Sequence, residues 1–363
     1  MFLEFDEPLE KRGEDSLKIK KYSNALVTFI KNSLTPMTIG IQGSWGSGKT
    51  SLLNTIYAQL DDANEHVDSK DFKIIWINSW ENSLMATPEE ALIKIINEII
   101  NGLNEVDPSL TNIQKVKDAA TVAAKGILRV GAGILGGQTG GQVVTEVLES
   151  TNSIKQLREQ LSQLVNAIRE SNSQRVDKIV IFVDDLDRVD PPEAVKILEL
   201  LKNIFNIPGC IFVLAIDYDV VIKGLKDKFG ERTPENEYEF RAFFDKIIQL
   251  PFTMPMGNYD IANYVLGLLD KINFYDGKED LDSDLINQFV TKSIGGNPRS
   301  IKRLINSLEL IKILNDKEAG EDFDGVIRDK DIAMVMFAMV CLQIAHPEIY
   351  QLFADNPNFR EWN

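Results

Sequence analysis

The chain has 363 residues, enough for two or three domains or one elaborated domain, and at 44% hydrophobic and 26% charged it can bury a sizeable core. A net charge of −16 argues against nonspecific binding to nucleic acid, which needs cationic side chains against phosphates. Only two histidines, His66 and His346, and two cysteines, Cys210 and Cys341, both in apolar runs that suit small core residues, leave little material for a His/Cys zinc site.

The start, MFLEFDEPLEKRGEDSLKIK, is too charged for a signal peptide. An amphipathic stretch follows over Leu17–Lys31. Met37–Gln42 reads as a strand, and a helix begins near Lys49, with Leu52, Leu53, Ile56, Tyr57 and Leu60 at helical spacing. Between them, Gly43-Ser44-Trp45-Gly46-Ser47-Gly48-Lys49-Thr50 fits G-x-x-x-x-G-K-[ST] without departure. Glycines let backbone amides curl around an anion, and a helix N-terminus adds unpaired N–H groups. The stretch Gly43–Ser51 therefore reads as a phosphate cradle. Lys49 reaches the β- and γ-phosphates and the Thr50 hydroxyl ligates Mg²⁺.

A second strand spans Lys73–Ile77 and ends in Asn78. Pro88–Leu103 is a predicted helix. Asn104–Ser150 is rich in Gly, Ala and Val, without clear periodicity; an amphipathic helix resumes at Ile154–Ile168. Lys178–Val183 is a near-continuous apolar run that fits a central parallel strand, ending in Asp184 and Asp185. A strand-end acid near the Mg²⁺ on Thr50 would hold that ion, so Asp184 is the expected metal ligand. Asp185 is then placed to polarise an attacking water, with Asp187 as a competitor for that role. Arg188 is expected to pair with a nearby aspartate.

A helix follows Pro191-Pro192, and two further strands are predicted, Ile211–Ile216, ending at Asp217, and Ile247–Phe252. Strand and helix alternation argues for an open parallel sheet covered on both faces, with ligands at the strands' carboxyl ends. Asn78 can orient Asp185 or cap a turn. Asp217 can sense a γ-phosphate through water or begin the next helix. From Gly257 onward the chain is predicted helical. In GGNPRSIKRLIN, Pro298 interrupts, Ser300 can start a helix, and Arg299 can close over the γ-phosphate or lie at the surface. The longest apolar run, Ile332–Leu342, is short of the roughly 20 residues that cross a bilayer and reads as a buried helix. A soluble, cytoplasmic protein is expected.

Taken together, GSWGSGKTSL, INSW, VDDLDR, FVLAID, KIIQLPFTMP and GNPRSIKRLIN resemble the KAP family of P-loop NTPases over about Leu17 to Arg303. The resemblance implies an α/β fold of the additional-strand P-loop class, with a five-stranded parallel sheet in the order 5-1-4-3-2. It implies a P-loop NTPase domain over 1–255, a helical insertion at about 104–177 and a C-terminal helical lid over 256–363. It implies ATP and Mg²⁺ as ligands, Asp184 and Asp185 as the Walker B pair, and Arg299 as a sensor arginine. Many members of the family carry membrane helices between the two Walker motifs. Here Lys125, Arg129 and Glu146 bracket too little apolar length in that place. Some bacterial relatives act against phage. The ending NPNFREWN, just after a helix, reads as the NTPase core of a longer chain.

The expected function is Mg²⁺-dependent ATP hydrolysis that drives a conformational switch in a larger assembly. A nucleotide-gated interaction module with little turnover is the alternative. A kinase lacks an acceptor signature, and GTP is disfavoured because GKED (Gly277–Asp280) departs from a guanine-reading motif and lies outside the sheet region. The segment 104–150 is expected to form helical arms for a second copy or a protein partner, with a disordered linker as the alternative.

Overall fold

The computed structural model describes residues 15–65, 72–84, 86–106, 113–123, 140–170, 176–204, 206–277, 279–318, 327–356 and 358. Its centre is a parallel sheet of five strands: β1 (Met37–Gln42), β2 (Phe72–Asn78), β3 (Lys178–Asp184), β4 (Cys210–Ile216) and β5 (Leu250–Thr253). The spatial order is β2-β3-β4-β1-β5, the expected order read from the other edge. Residues Ile179–Asp184 of β3 and all of β4 are buried, as their unbroken apolar sequences require of strands covered on both faces. Alternation divides the strands between two cores. Ile179, Ile181 and Val183 face one layer of helices, and Val180 and Phe182 face the other.

On the N-terminal side of the chain, α1 (Lys20–Asn32) precedes β1, and α2 (Lys49–Glu65) follows the P-loop. Helix α1 begins at Lys20, three residues later than the periodicity suggests. The Asp15 carboxylate accepts from the backbone N–H of Ile19 and of Lys20 at 2.7 Å each, and Lys18 adopts a positive φ of 55°, so the preceding residues are folded into a turn. The other end of α1 is held by the Lys178 ammonium, which donates to the carbonyls of Ile30, Lys31 and Ser33 at 3.0, 2.6 and 2.9 Å. A cation there complements the partial negative charge of a helix C-terminus.

Across the sheet lie α3 (Ser79–Ser83), α4 (Pro88–Asn104), α5 (113–123), α6 (Gly140–Glu170), α7 (Pro191–Ile204), α8 (Tyr218–Gly224), α9 (Lys226–Phe229) and α10 (Glu237–Asp245). Part of the segment expected to form arms is instead core. Val116, Ala119, Ala120 and Ala123 of α5 are buried in the cluster that holds Leu92, Ile96, Leu161 and Phe212. The small side chains let α5 approach its neighbours closely, so its periodicity is carried by alanines, which a search for large apolar residues passes over. The glycine-rich residues 124–139 lie outside the described residues; Gly140 and Gly141 open α6.

Strand β5 starts at Leu250, not Ile247. The N–H groups of Ile247 and Ile248 both donate to Phe244 O at 2.8 Å and finish the turn of α10, and pairing with β1 opens with Gln249 N to Thr38 O at 3.0 Å. The remaining helices are α11 (Ile261–Lys271), α12 (Ser283–Lys292), α13 (Pro298–Glu318), α14 (Lys330–Ala345) and α15 (Pro347–Asp355). Helix α13 begins at Pro298 itself, ahead of Ser300, because a proline at the first helical position loses no hydrogen bond. Val265, Leu268, Ile301, Leu304 and Phe337 join the core that covers Ile39, Ile41, Val180 and Phe182. The apolar run Ile332–Leu342, read as a buried helix, lies in α14 and is buried along one face: Ala333, Phe337 and Val340 are buried, and Ile332 and Val335 are exposed. Among the described residues, no helix is long and apolar enough to cross a membrane.

Candidate functional site

The sheet register decides what meets at the strand ends. Asn78 pairs with Asp184, and Gln42 pairs with Ile216, so the last residues of β1, β2, β3 and β4 line up along one edge of the sheet. The chain leaves β1 there into Gly43–Gly48 and enters α2 at Lys49. Gly46 and Gly48 sit at φ of 82° and 94°, a region in which a side chain is strained.

Lys49 is buried although charged. Its ammonium donates to Gly43 O at 2.9 Å, to Ser44 O at 3.3 Å and to the Asp187 carboxylate at 2.7 Å. The Thr50 hydroxyl donates to Asp184 Oδ1 at 3.3 Å. Burial raises the Asp184 carboxyl to about 6, with Asp185 and Asp187 adding like charge and hydrogen bonds from the Asp185 N–H and Thr50 opposing the shift. A hydroxyl and a carboxylate oxygen side by side, in a pocket that penalises uncompensated negative charge, fit a small hard cation. Mg²⁺ takes one or two carboxylates and completes its shell with water and phosphate.

Asp185 sits in the left-handed region (φ 57°, ψ 26°), uncommon for a residue with a Cβ and found at functional turns. Its carboxylate meets Arg188 Nε at 2.8 Å, and the Arg188 guanidinium lies 5.4 Å from the centre of the Trp80 ring. Burial pushes the Asp185 carboxyl upward; Arg188 and a hydrogen bond with Asn78 pull it down, while Asp187 and Glu81 push it up, and the net shift is up. Of the two roles the sequence left open for Asn78, the geometry displays the cap: its Oδ1 accepts from the N–H of Trp80 and Glu81 at 3.1 and 3.2 Å at the start of α3, and its Nδ2 donates to Glu81 Oε1 at 3.0 Å.

Among the described residues, the C-terminal region reaches the P-loop through side chains that include Asn297, Arg299 and Tyr259. Asn297 Nδ2 donates to Trp45 O at 2.8 Å, and its Oδ1 accepts from Arg299 N at 3.0 Å at the start of α13. The Arg299 guanidinium lies 4.1 Å from the Trp45 ring centre, a cation–π contact. Tyr259 donates to Ser47 O at 2.8 Å. A Cβ at Gly46 would lie 2.7 Å from both Arg299 Cβ and Asn297 Oδ1, so the glycine permits this approach as well as its own turn.

A solvent-open cleft runs from these groups to the N-terminal turn at Asp15–Ile19. It is lined by Trp45–Ser51, Asp184, Asp185, Asp187, Arg188, Tyr259, Tyr264 and Arg299, and it ends against Leu17 and Ile19. Lys18 and Asp260 form an ion pair that ties this turn to the segment before α11. Of the residues singled out in the sequence, Trp45, Gly46, Ser47, Gly48, Lys49, Thr50, Ser51, Asp184, Asp185 and Arg299 line this one cleft, and Asn78 is not among its lining residues. Gly43 and Ser44 lie behind it as acceptors for Lys49. Asp217 is not among its lining residues; its side chain accepts from Asp219 N at 3.1 Å and caps α8. The sequence reading passed over Asn297, Tyr259 and the partnership of Asp187 with Lys49. The signal for Asp187 was its place three residues after Asp184 in DDLD, which a single tight turn returns to the same side.

The chain matches other proteins over most of its length. It is 24% identical over 309 residues to the phage T7 exclusion protein of Escherichia coli strain K12, a match that takes in 74% of this chain and 38% of that protein. The chain thus spans well under half the length of that relative. Solved structures of similar fold include Drosophila ORC bound to DNA (TM-score 0.47, 12% identity, 99% of this chain and 74% of that one). The Aeropyrum pernix ORC2 protein in ADPNP–ADP complexes is another (TM-score 0.38, 13% identity, 91% of this chain and 69% of that one). The profile of the KAP family P-loop domain matches residues 19–315, which include every side chain of the P-loop and of the Asp184–Arg188 turn, and the chain belongs to that family.

Proposed function

We propose that this protein is a Mg²⁺-dependent ATPase whose cycle moves the helical region after residue 255 against the sheet and so switches a larger assembly. The observation that carries the reading is one cleft shared by Lys49, Thr50, Asp184 and Asp185 from the sheet side and Arg299 from α13. Bound Mg²⁺ would neutralise phosphate charge between Thr50 and Asp184. Lys49 contributes a point charge to the terminal phosphates. Asp185, released from Arg188, orients and polarises the water. Arg299 and Asn297 bear on the P-loop at Trp45 and carry its state into α13. Leu17, Ile19 and Tyr264 also line the cleft and supply apolar surface for a base. The relative's name supports phage defence as the process.

The contact between Asp185 and Arg188 favours one second reading, a nucleotide-gated module that hydrolyses little until a partner frees Asp185. Phosphate release and calorimetric binding with Mg²⁺-ATP separate the two readings. The parent should turn over. Lys49→Ala should lose both binding and turnover, and Asp185→Asn should bind nearly as the parent and turn over at least about 100-fold more slowly. Intact binding with no turnover in the parent would favour the gated module. Parent-like turnover in Asp185→Asn would remove Asp185 from its role.

A further inference from the structure

The proposed mechanism leaves Asp187 without a task, yet it makes the shortest contact to Lys49. The Lys49 ammonium has three N–H donors and three acceptors, Gly43 O, Ser44 O and Asp187 Oδ2 at 2.7 Å. Both side chains of the ion pair are almost fully buried, 6% exposed for Lys49 and 5% for Asp187. We infer that Asp187 competes with the terminal phosphate for Lys49, and that it thereby makes nucleotide binding conditional on a divalent cation. The inference rests on the nucleotide-binding reading of the cleft.

The argument is one of charge. Among the described residues, the cations in direct contact with Asp184, Asp185 and Asp187 include Lys49 on Asp187 and Arg188 on Asp185 at 2.8 Å, while Arg299 and Lys302 line the same cleft. A terminal phosphate that takes Lys49 must displace Asp187 and leaves its carboxylate buried beside two others with no cation of its own. Removing one partner from a buried ion pair is far costlier than the pair itself is worth. Free nucleotide would bring more negative charge into the same cluster. A divalent cation at Thr50 and Asp184 brings the missing positive charge, so phosphate and cation bind together or poorly. The opposite possibility is that Asp187 stays on Lys49 and aims it at the phosphate. The two accounts predict opposite effects of removing the carboxylate.

The test is calorimetric titration with a non-hydrolysable β,γ-imido analogue of ATP, with Mg²⁺ and with EDTA. Asp187→Asn and Asp187→Ser are both measured after a cooperative melt shows each to be folded, and one folded variant suffices. The parent should bind the analogue at least about 30-fold more tightly with Mg²⁺, and the variants should gain about tenfold in EDTA, which narrows the gap. An unchanged gap, or weaker binding by the variants under both conditions, would overturn the inference and leave the nucleotide site standing. A parent that binds under neither condition would sink the nucleotide reading and the inference with it.

Discussion

Asp184 is the residue whose environment is most at odds with its charge. Its carboxyl is buried at the end of β3 and raised from its ordinary value to about 6. In the unfolded chain it ionises near pH 4. Between about pH 4 and 6 the folded state therefore binds more protons than the unfolded state, and stability falls as pH rises through that window. Above pH 6 the full cost of the buried charge is present, up to about 3 kcal/mol for a shift of this size. In metal-free buffer, Asp184→Asn should raise stability by about 1–3 kcal/mol at pH 7.5 and leave it unchanged below pH 4. Denaturant midpoints of both proteins in EDTA at the two pH values check this, and equal midpoints at pH 7.5 would show that the carboxylate is compensated without an ion. A site that destabilises the empty protein is one whose ligand restores stability on binding. The same logic explains how far the site was legible. Lys49, Thr50 and Asp184 could be named because a motif fixes their place at a strand end. Asp187 and Asn297 act through contacts 138 and 252 residues distant in sequence; the spacing in DDLD places Asp187 on the side of Asp184 but does not name Lys49 as its partner, and nothing local to Asn297 encodes Trp45.

At the scale of elements, the strands were readable because each is a short, dense apolar run between polar breaks, and β3 and β4 are buried along nearly their whole length. The errors fell where backbone bonding outweighs side-chain pattern. Ile247 and Ile248 look like strand but finish α10, and Pro298 looks like a break but opens α13. Helix α5 lies in a stretch expected to form arms for a partner, and its place in the core was not foreseen because its buried face is built largely from small residues. Close approach between elements is also specified by glycine, and two positions make a controlled comparison. A Cβ on Gly224 would lie 2.1 Å from the carbonyl oxygen of Pro191, so α8 and the first turn of α7 would have to part. A Cβ on Gly40 would meet Ile248 at 2.6 Å, but chiefly the far end of a flexible side chain, which can turn away. Gly224→Ala should therefore cost about 3 kcal/mol or more and Gly40→Ala about 1 kcal/mol, both by overpacking. Urea denaturation gives both values. Equal losses would mean that the α7–α8 contact yields as easily as a side chain.

One sheet face and the C-terminal helices share a core, and the P-loop is also held by side chains at and just before the starts of α11 and α13. Val265, Leu268 and Leu304 pack in the cluster with Ile39 and Phe182, and Tyr259, Asn297 and Arg299 hold Ser47 and Trp45. A nucleotide that orders the P-loop thus has a direct mechanical route to α13. If nucleotide saturates the site at about 100 times its Kd, openings that require its release become about 100-fold rarer, equivalent to about 2.7 kcal/mol. Hydrogen exchange should then slow in α2 and, through these contacts, in Ile301–Leu308 of α13. Asn297→Ala removes the donor to Trp45 O and the acceptor for Arg299 N, but touches none of Lys49, Thr50 or Asp184. The variant should keep nucleotide protection in α2 and lose most of it in Ile301–Leu308. Loss of protection in both would mean that Asn297 is needed to shape the phosphate cradle itself. Protection retained in both would place the coupling in the shared core, through Leu304 and Val265, and not in the contact at the P-loop.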